Sequence, residues 1–495
     1  MKASRNMPQV TMGIVGVSRD CFPIELTRKR LKKLVTACRK LKLSIAPCET
    51  IIESETDAMA AVAEMKKKGA DAVAIYLGNF GPEGPTTIFA KELGVPFMLC
   101  GAAEESRKTL VHGRGDAFCG MLNAALNSGL RHVRPHIPQD PIGLPNELAA
   151  EIKHFCSVAR VMVGLRGLKV FGFGPRPQDF YACNAPIKPL YDLGIEVMEN
   201  SELDLHLFYK SVSRRKSAIA AVARDMAKEL GKGNRHPEKL AQLAQYEIAL
   251  ETFLEENLGS RQYGVFANKC WPSFEPAFGF VPCFVNSRLA ARGIPVACEV
   301  DMYGAVSEYM ALLATDFPAT ILDVNNTVPS DIKISDRKGV AKKDMFMGFH
   351  CGNTPSCCLC PGFSMKYQLI MHRLMEPGRD PDITCGTLEG TLKPGPVTVF
   401  RLQGAADCTL RSYVAEGHVL KANPSSFGGI GVIAIKDFAR FYRHVLLEKQ
   451  FPHHTAMAFK HGGKALYDAV KMLGVTEIDA PKPAGCLYPS ENPFA

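Results

Sequence analysis

Apolar residues in the first third of the chain fall into short unbroken runs rather than alternating with polar ones. Residues 10–17, 43–47, 70–77 and 95–99 are such runs. Between them, 24–41 and 56–68 repeat apolar positions at helical spacing. Strands without alternation, separated by helices, predict a parallel sheet covered on both faces. The pattern pauses at a proline-rich stretch, 134–142, and resumes with a helix over 146–165. A second α/β unit follows, with a strand over 168–171, a long polar helical stretch over 201–258, a strand over 263–267, a helix over 277–292 and a strand over 294–298. Past residue 315 helical periodicity fades, apart from helix-like runs over 438–445 and 464–473. Short runs punctuated by Gly and Pro take over at 319–324, 344–349, 385–392, 397–402 and 408–415, which predicts antiparallel, barrel-like β-structure. The expected organisation is therefore two doubly wound, Rossmann-like parallel-sheet domains, 1–165 and 166–314, followed by a β-rich, barrel-like domain, 315–495.

The 495 residues exceed what one core holds. No run is long and apolar enough to span a bilayer, and the N-terminus lacks a secretory hydrophobic core, so the expected location is the cytoplasm. A net charge of +9 is mild over this length and permits an anionic substrate. The basic cluster 28–33 reads as the solvated face of a helix, and no aromatic-interleaved basic tract points to nucleic acid. The 17 cysteines are scattered and read as reduced, buried thiols. Cys351, Cys357, Cys358 and Cys360 lie close in sequence but lack a separated second pair, so they read as a tight loop rather than a metal knuckle. Neither a GxGxxG opening a helix nor a GxxxxGK[ST] loop is present, and Gly172-Phe-Gly174 reads as a strand-end turn.

Chemistry concentrates elsewhere. Glu299 and Asp323 each end a short apolar run, 24 positions apart, and the pair His453-His454 follows far downstream. Two carboxylates and an imidazole form a ligand set for a divalent cation such as Mn²⁺, and the same carboxylates can move protons beside a carbonyl. Taken singly, Glu299 and Asp301 also suit the N-terminus of a helix, and Asp323 suits a turn.

Six short segments, in order, carry a resemblance: GRGDA from Gly113, KCW from Lys269, CEVDMYG from Cys298, LDV from Leu322, DMFMGFHCGN from Asp344 and PHHTA from Pro452. Together they resemble the L-fucose/L-arabinose isomerase family. The resemblance implies two α/β domains and a β-rich domain, assembled as a homo-hexamer or trimer. It also implies a metal-dependent aldose–ketose isomerase working through a cis-enediol on a small sugar. It assigns Glu299, Asp323 and His454 to the metal and gives Glu299 and Asp323 the proton transfers as well, with Mn²⁺ as the ion and Mg²⁺ or Co²⁺ as substitutes. His453 rivals His454, and the arabinose-type pattern of two Glu and two His brings in His350. Trp271 and, from a neighbouring subunit, Arg19 complete the expected sugar contacts with His350 and His453. The resemblance leaves three substrates open: a pentose, a 6-deoxyhexose, or an acidic sugar such as a sulfonated one. The rival readings are a metal-dependent epimerase or lyase, and a non-catalytic sugar sensor.

Overall fold

Each apolar run of the first third becomes a strand, hidden on both faces in three of the four and only partly buried over 45–47. The computed structural model describes residues 6–336 and 339–494. It divides into two compact units, one of residues 8–163 with 468–474, the other of 164–467 with 6–7 and 475–494.

In the first unit, β1 (Met12–Val17), β2 (Ile45–Pro47), β3 (Ala72–Leu77), β4 (Phe97–Ala102) and β5 (Ile142–Gly143) form a wholly parallel sheet in the order 2-1-3-4-5. Every residue of β1, β3 and β4 is buried. The helices α1 (Ile24–Lys40), α2 (Glu55–Lys67), α3 (Glu83–Leu93), α4 (Ala117–Leu130) and α5 (Pro145–Arg166) connect and extend this pattern. Ser54 caps α2 in a reciprocal box with Asp57, which explains a helix start two residues ahead of that acid. The basic cluster on α1 is solvated at Lys29, Lys32 and Lys33. Arg30 departs from that expectation: it is buried, donating to the Gly78 carbonyl and pairing with Glu104, both at 2.8 Å.

The second unit repeats the winding in a four-stranded parallel sheet of β6 (Leu168–Gly174), β7 (Glu196–Ser201), β8 (Tyr263–Ala267) and β9 (Val296–Ala297), ordered 7-6-8-9. The single helical stretch expected over 201–258 is instead three helices, Glu202–Ser211, Lys216–Leu230 and Leu240–Asn257. Gly231, with φ +50°, and Pro237 punctuate the second break. The helix expected over 277–292 is likewise two, Phe274–Phe278 and Cys283–Ala291, parted by left-handed Gly279 and Pro282.

The β-rich part holds β10 (Ala319–Asn326), β11 (Met345–His350), β12 (Ser364–Tyr367), β13 (Cys385–Thr391), β14 (Gly395–Gly404), β15 (Leu410–Leu420), β16 (Gly429–Ala434), β17 (His454–Ala458) and β18 (Glu477–Asp479). Going round from β16 through β11, β10, β17, β14 and β15 and back to β16, every neighbouring pair is antiparallel. The expected barrel is therefore a closed ring of six strands, which removes exposed edges. Among the described residues no helix is long and apolar enough to cross a membrane.

Candidate metal centre

β9 is only two residues long, and the chain leaves it through two consecutive left-handed residues, Glu299 (φ +54°) and Val300 (φ +56°). A β-branched residue there is a true outlier, and each such position costs about 1–3 kcal/mol. Three hydrogen bonds hold the conformation. Val300 N–H donates to the Asn268 carbonyl (2.9 Å) and Asp301 N–H to the Cys298 carbonyl (3.1 Å). Asp301 Oδ1 in turn accepts Gly304 N–H (2.8 Å), capping the helix Met302–Thr315. The turn leaves the Glu299 carboxylate beside residues of the barrel.

The barrel supplies the partners through register. Asp323 on β10 lies directly opposite His454, the first residue of β17, so both side chains leave one face. His454 Nε2 sits 3.3 Å from Glu299 Oε2 and 3.6 Å from Asp323 Oδ1. Both of those carboxylate oxygens are buried with no hydrogen-bond partner among the described residues. Buried carboxylate oxygens without hydrogen-bond partners are costly, so two of them beside one imidazole nitrogen suit a cation. Two neighbouring sets of donor atoms each lie within 4.8 Å of one another here, Asp323 with His453 and His454, and Glu299 with His350 and Cys298. The residues therefore fit a divalent ion.

The imidazoles are distinguished by what their other nitrogen does. His454 Nδ1 lies 2.8 Å from Asp301 Oδ2, and a carboxylate can only accept, so Nδ1 carries hydrogen and Nε2 is free to ligate. Asp301 is clamped in turn by fully buried Arg401, whose Nη1 and Nη2 donate to its two oxygens at 2.6 and 2.9 Å. Burial opposes charge on Asp301, but Arg401 and His454 hold its carboxyl well below the usual range. Burial likewise opposes charge on His454, yet the hydrogen bond to Asp301 raises its pKa well above that of ordinary imidazole. His350 is built the other way: its Nδ1 accepts the Cys351 N–H at 2.9 Å. Its Nε2 faces Glu299 Oε2 at 3.8 Å.

His453 is the outer member of the group, its Nε2 3.8 Å from Asp323 Oδ1 and Phe180 edge-on to its ring at 5.5 Å. Burial and neighbouring His454 lower its pKa. The Cys183 thiol lies 3.6 Å from His454 Nδ1 and is pushed up to about 11 by burial and by Asp301, so it stays neutral.

The chain thus brings together Glu299, Asp323, His350, His453 and His454 of the residues singled out from sequence. Trp271 is half-buried in the loop after β8. Arg19 belongs to the other compact unit, where it lies 3.9 Å from Glu83 and 5.8 Å from the Phe80 ring. Asp323 stands within a strand, not a turn. The cysteine loop goes separate ways: Cys351 Sγ accepts from Gln368, Cys360 Sγ donates to the Leu392 carbonyl, and Cys357 and Cys358 lie 3.8 Å apart. Arg401 escaped sequence reading altogether, and Asp301 was legible only as a helix cap.

Residues 13–166 match the family model described as fucose/sulfoquinovose isomerase, N-terminal domain, and 348–479 match L-fucose isomerase, C-terminal domain. The chain is 26% identical to a sulfoquinovose isomerase of Alkalicoccus urumqiensis over 349 residues, 68% of this chain and 71% of the relative. It is 23% identical to the sulfoquinovose isomerase of Priestia megaterium (strain ATCC 12872 / QMB1551) over 339 residues, 67% and 69% of the two chains. A sulfoquinovose isomerase of Clostridium sp. (strain MSTE9) is 25% identical over 296 residues, 59% and 60%.

Proposed function

The chain belongs to the L-fucose isomerase family and is an aldose–ketose isomerase, and on that premise we propose that it is metal-dependent and acts on a sulfonated aldose. The observation carrying the metal dependence is that Glu299 Oε2 and Asp323 Oδ1, both buried without hydrogen-bond partners, lie 3.3 and 3.6 Å from His454 Nε2. These three would hold Mn²⁺, with Mg²⁺ or Co²⁺ as substitutes. When bound, the ion supplies Lewis acidity to the open-chain sugar's C1 carbonyl and C2 hydroxyl and stabilises the enediolate.

The chain's own groups then move protons. Of Glu299 and Asp323, one takes the C2 proton and returns it to C1, while the other passes the hydroxyl proton between oxygens. Although burial opposes charge on Glu299, contacts with His454 and His350 lower its pKa, which keeps it ionised and able to accept. His350 Nε2–H donates toward a developing oxyanion. Asp301 and Arg401 touch no substrate; they hold His454 in its ligating tautomer.

The sulfonated substrate is supported by the curated relatives, named for sulfoquinovose, and by the +9 net charge. A panel of sulfoquinovose, L-fucose and L-arabinose with Mn²⁺, followed by NMR in D₂O, tests both points. The expected result is conversion of sulfoquinovose with kcat/KM at least about a hundredfold above the neutral sugars, deuterium at C1 of the ketose, and no turnover after chelation. Preference for a neutral sugar overturns the substrate; a C2-epimeric aldose or a cleaved product overturns the reaction; full turnover after chelation overturns the metal.

The reading extends to a cytoplasmic homo-oligomer, a hexamer or trimer. Phe118, Leu122, Leu126 and Leu130, four positions apart along α4, are 62–74% exposed. A contiguous apolar stripe of this kind marks a protein interface. Leu122→Glu/Leu126→Glu is expected to dissociate the assembly in light-scattering chromatography; an unchanged mass removes α4 from the interface.

A further inference from the structure

Three further side chains able to ligate a metal meet in the first unit. His136 lies between α4 and β5, His154 is on α5 and Asp468 is on the helix Gly463–Met472. One donor atom from each falls within 4.8 Å of the other two. We propose that they form a second metal site, taking a borderline divalent transition ion such as Zn²⁺, Co²⁺ or Ni²⁺ and serving structure rather than turnover.

The geometry is built rather than accidental. His136 is 4% exposed, and its backbone is fixed on both sides. Its N–H donates to the Phe97 carbonyl (2.8 Å) and its carbonyl accepts Leu99 N–H (3.0 Å), which pins it along β4. Its ring stacks on Phe155 at 5.2 Å with 7° between planes, so the imidazole cannot swing away. The His154 ring stands 5.9 Å from that of His136. His154 Nε2 meets Asp468 Oδ2 at 2.7 Å, and these two side chains are 18% and 21% exposed. The pair of His154 and Asp468 joins two members of the group, and the His136 imidazole is held rigidly beside them. Two imidazoles and one carboxylate, with solvent on one side, are the donor set of a three-ligand site completed by water. Imidazole nitrogen selects zinc-like ions over Mg²⁺ and Ca²⁺. Asp468 opens the segment 468–474, which folds with residues 8–163 although it lies some three hundred positions further along the chain. An ion shared by His136, His154 and Asp468 staples that segment to the body of its unit.

The test uses the full-length Glu299→Ala/Asp323→Ala protein, in which the central site is disabled, stripped with chelator and then given Zn²⁺. After desalting, elemental analysis is expected to find about one zinc per chain, and zinc is expected to raise the unfolding temperature. His154→Gln and Asp468→Asn, conservative changes at partly exposed helix positions, are each expected to abolish the retained zinc and the zinc-dependent rise. A loss of the ion pair alone lowers the starting temperature but leaves no zinc effect to lose, so the two roles separate. No retained zinc in the disabled background, or equal zinc content after either substitution, overturns the proposal.

Discussion

A Glu299→Gln protein is expected to remain folded and assembled while losing at least about a thousandfold in kcat/KM, and Asp323→Asn the same. Each change is nearly isosteric but replaces a carboxylate oxygen that approaches His454 Nε2, at 3.3 Å and 3.6 Å respectively. The amide lowers the negative charge that would hold the ion and removes a group able to accept a proton from carbon. Because both residues act through one centre, the double variant is expected to be little worse than either single one. Steady-state rates at saturating Mn²⁺, with circular dichroism to verify the fold, decide the matter. Near-normal rates in either variant remove the assigned role.

The second large effect is expected at Asp301, on stability and metal affinity together. Arg401 is 0% exposed and spends two of its nitrogens on Asp301. Asp301→Ala leaves that guanidinium buried without its counter-charge, at a cost of about 3–5 kcal/mol. It also frees His454 Nδ1, so the imidazole loses the partner that fixes its tautomer, and Mn²⁺ affinity is expected to fall about 10–100-fold. Asp301→Ala/Arg401→Met separates the two effects. Removing both charges is expected to restore much of the stability but none of the affinity, as read by thermal unfolding and Mn²⁺ titration. Affinity returning with stability would mean that Asp301 acts on the fold alone.

The contrast between these residues explains what the sequence made legible. Glu299 and Asp323 each end an apolar run, and a charged residue at such a point stands out against its neighbours. The buried parallel strands were legible for the same reason, since β1, β3 and β4 are unbroken apolar runs with both faces covered. Arg401 lies within a ten-residue strand, a hundred positions from its partner, and nothing local marks it as buried or paired. Asp301 carried a sufficient local explanation as a helix cap, and it does cap the helix; its hold on His454 depends on β17 arriving at one register against β10. Closure of the barrel rests on three residue pairs between β15 and β16, a tertiary fact without a local signature. The tautomers of His350 and His454 were equally hidden. They turn on whether Nδ1 meets a carboxylate or a backbone N–H, which residue type and spacing do not encode.

Anomalous diffraction from Mn²⁺-loaded crystals of the unsubstituted protein bears most directly on the central claim. The expected result is one strong peak bonded at about 2.1 Å to Glu299, Asp323 and His454 Nε2, with His350 Nε2 outside bonding distance. A peak held by other side chains, or ligation by His350 in place of His454, would contradict the account.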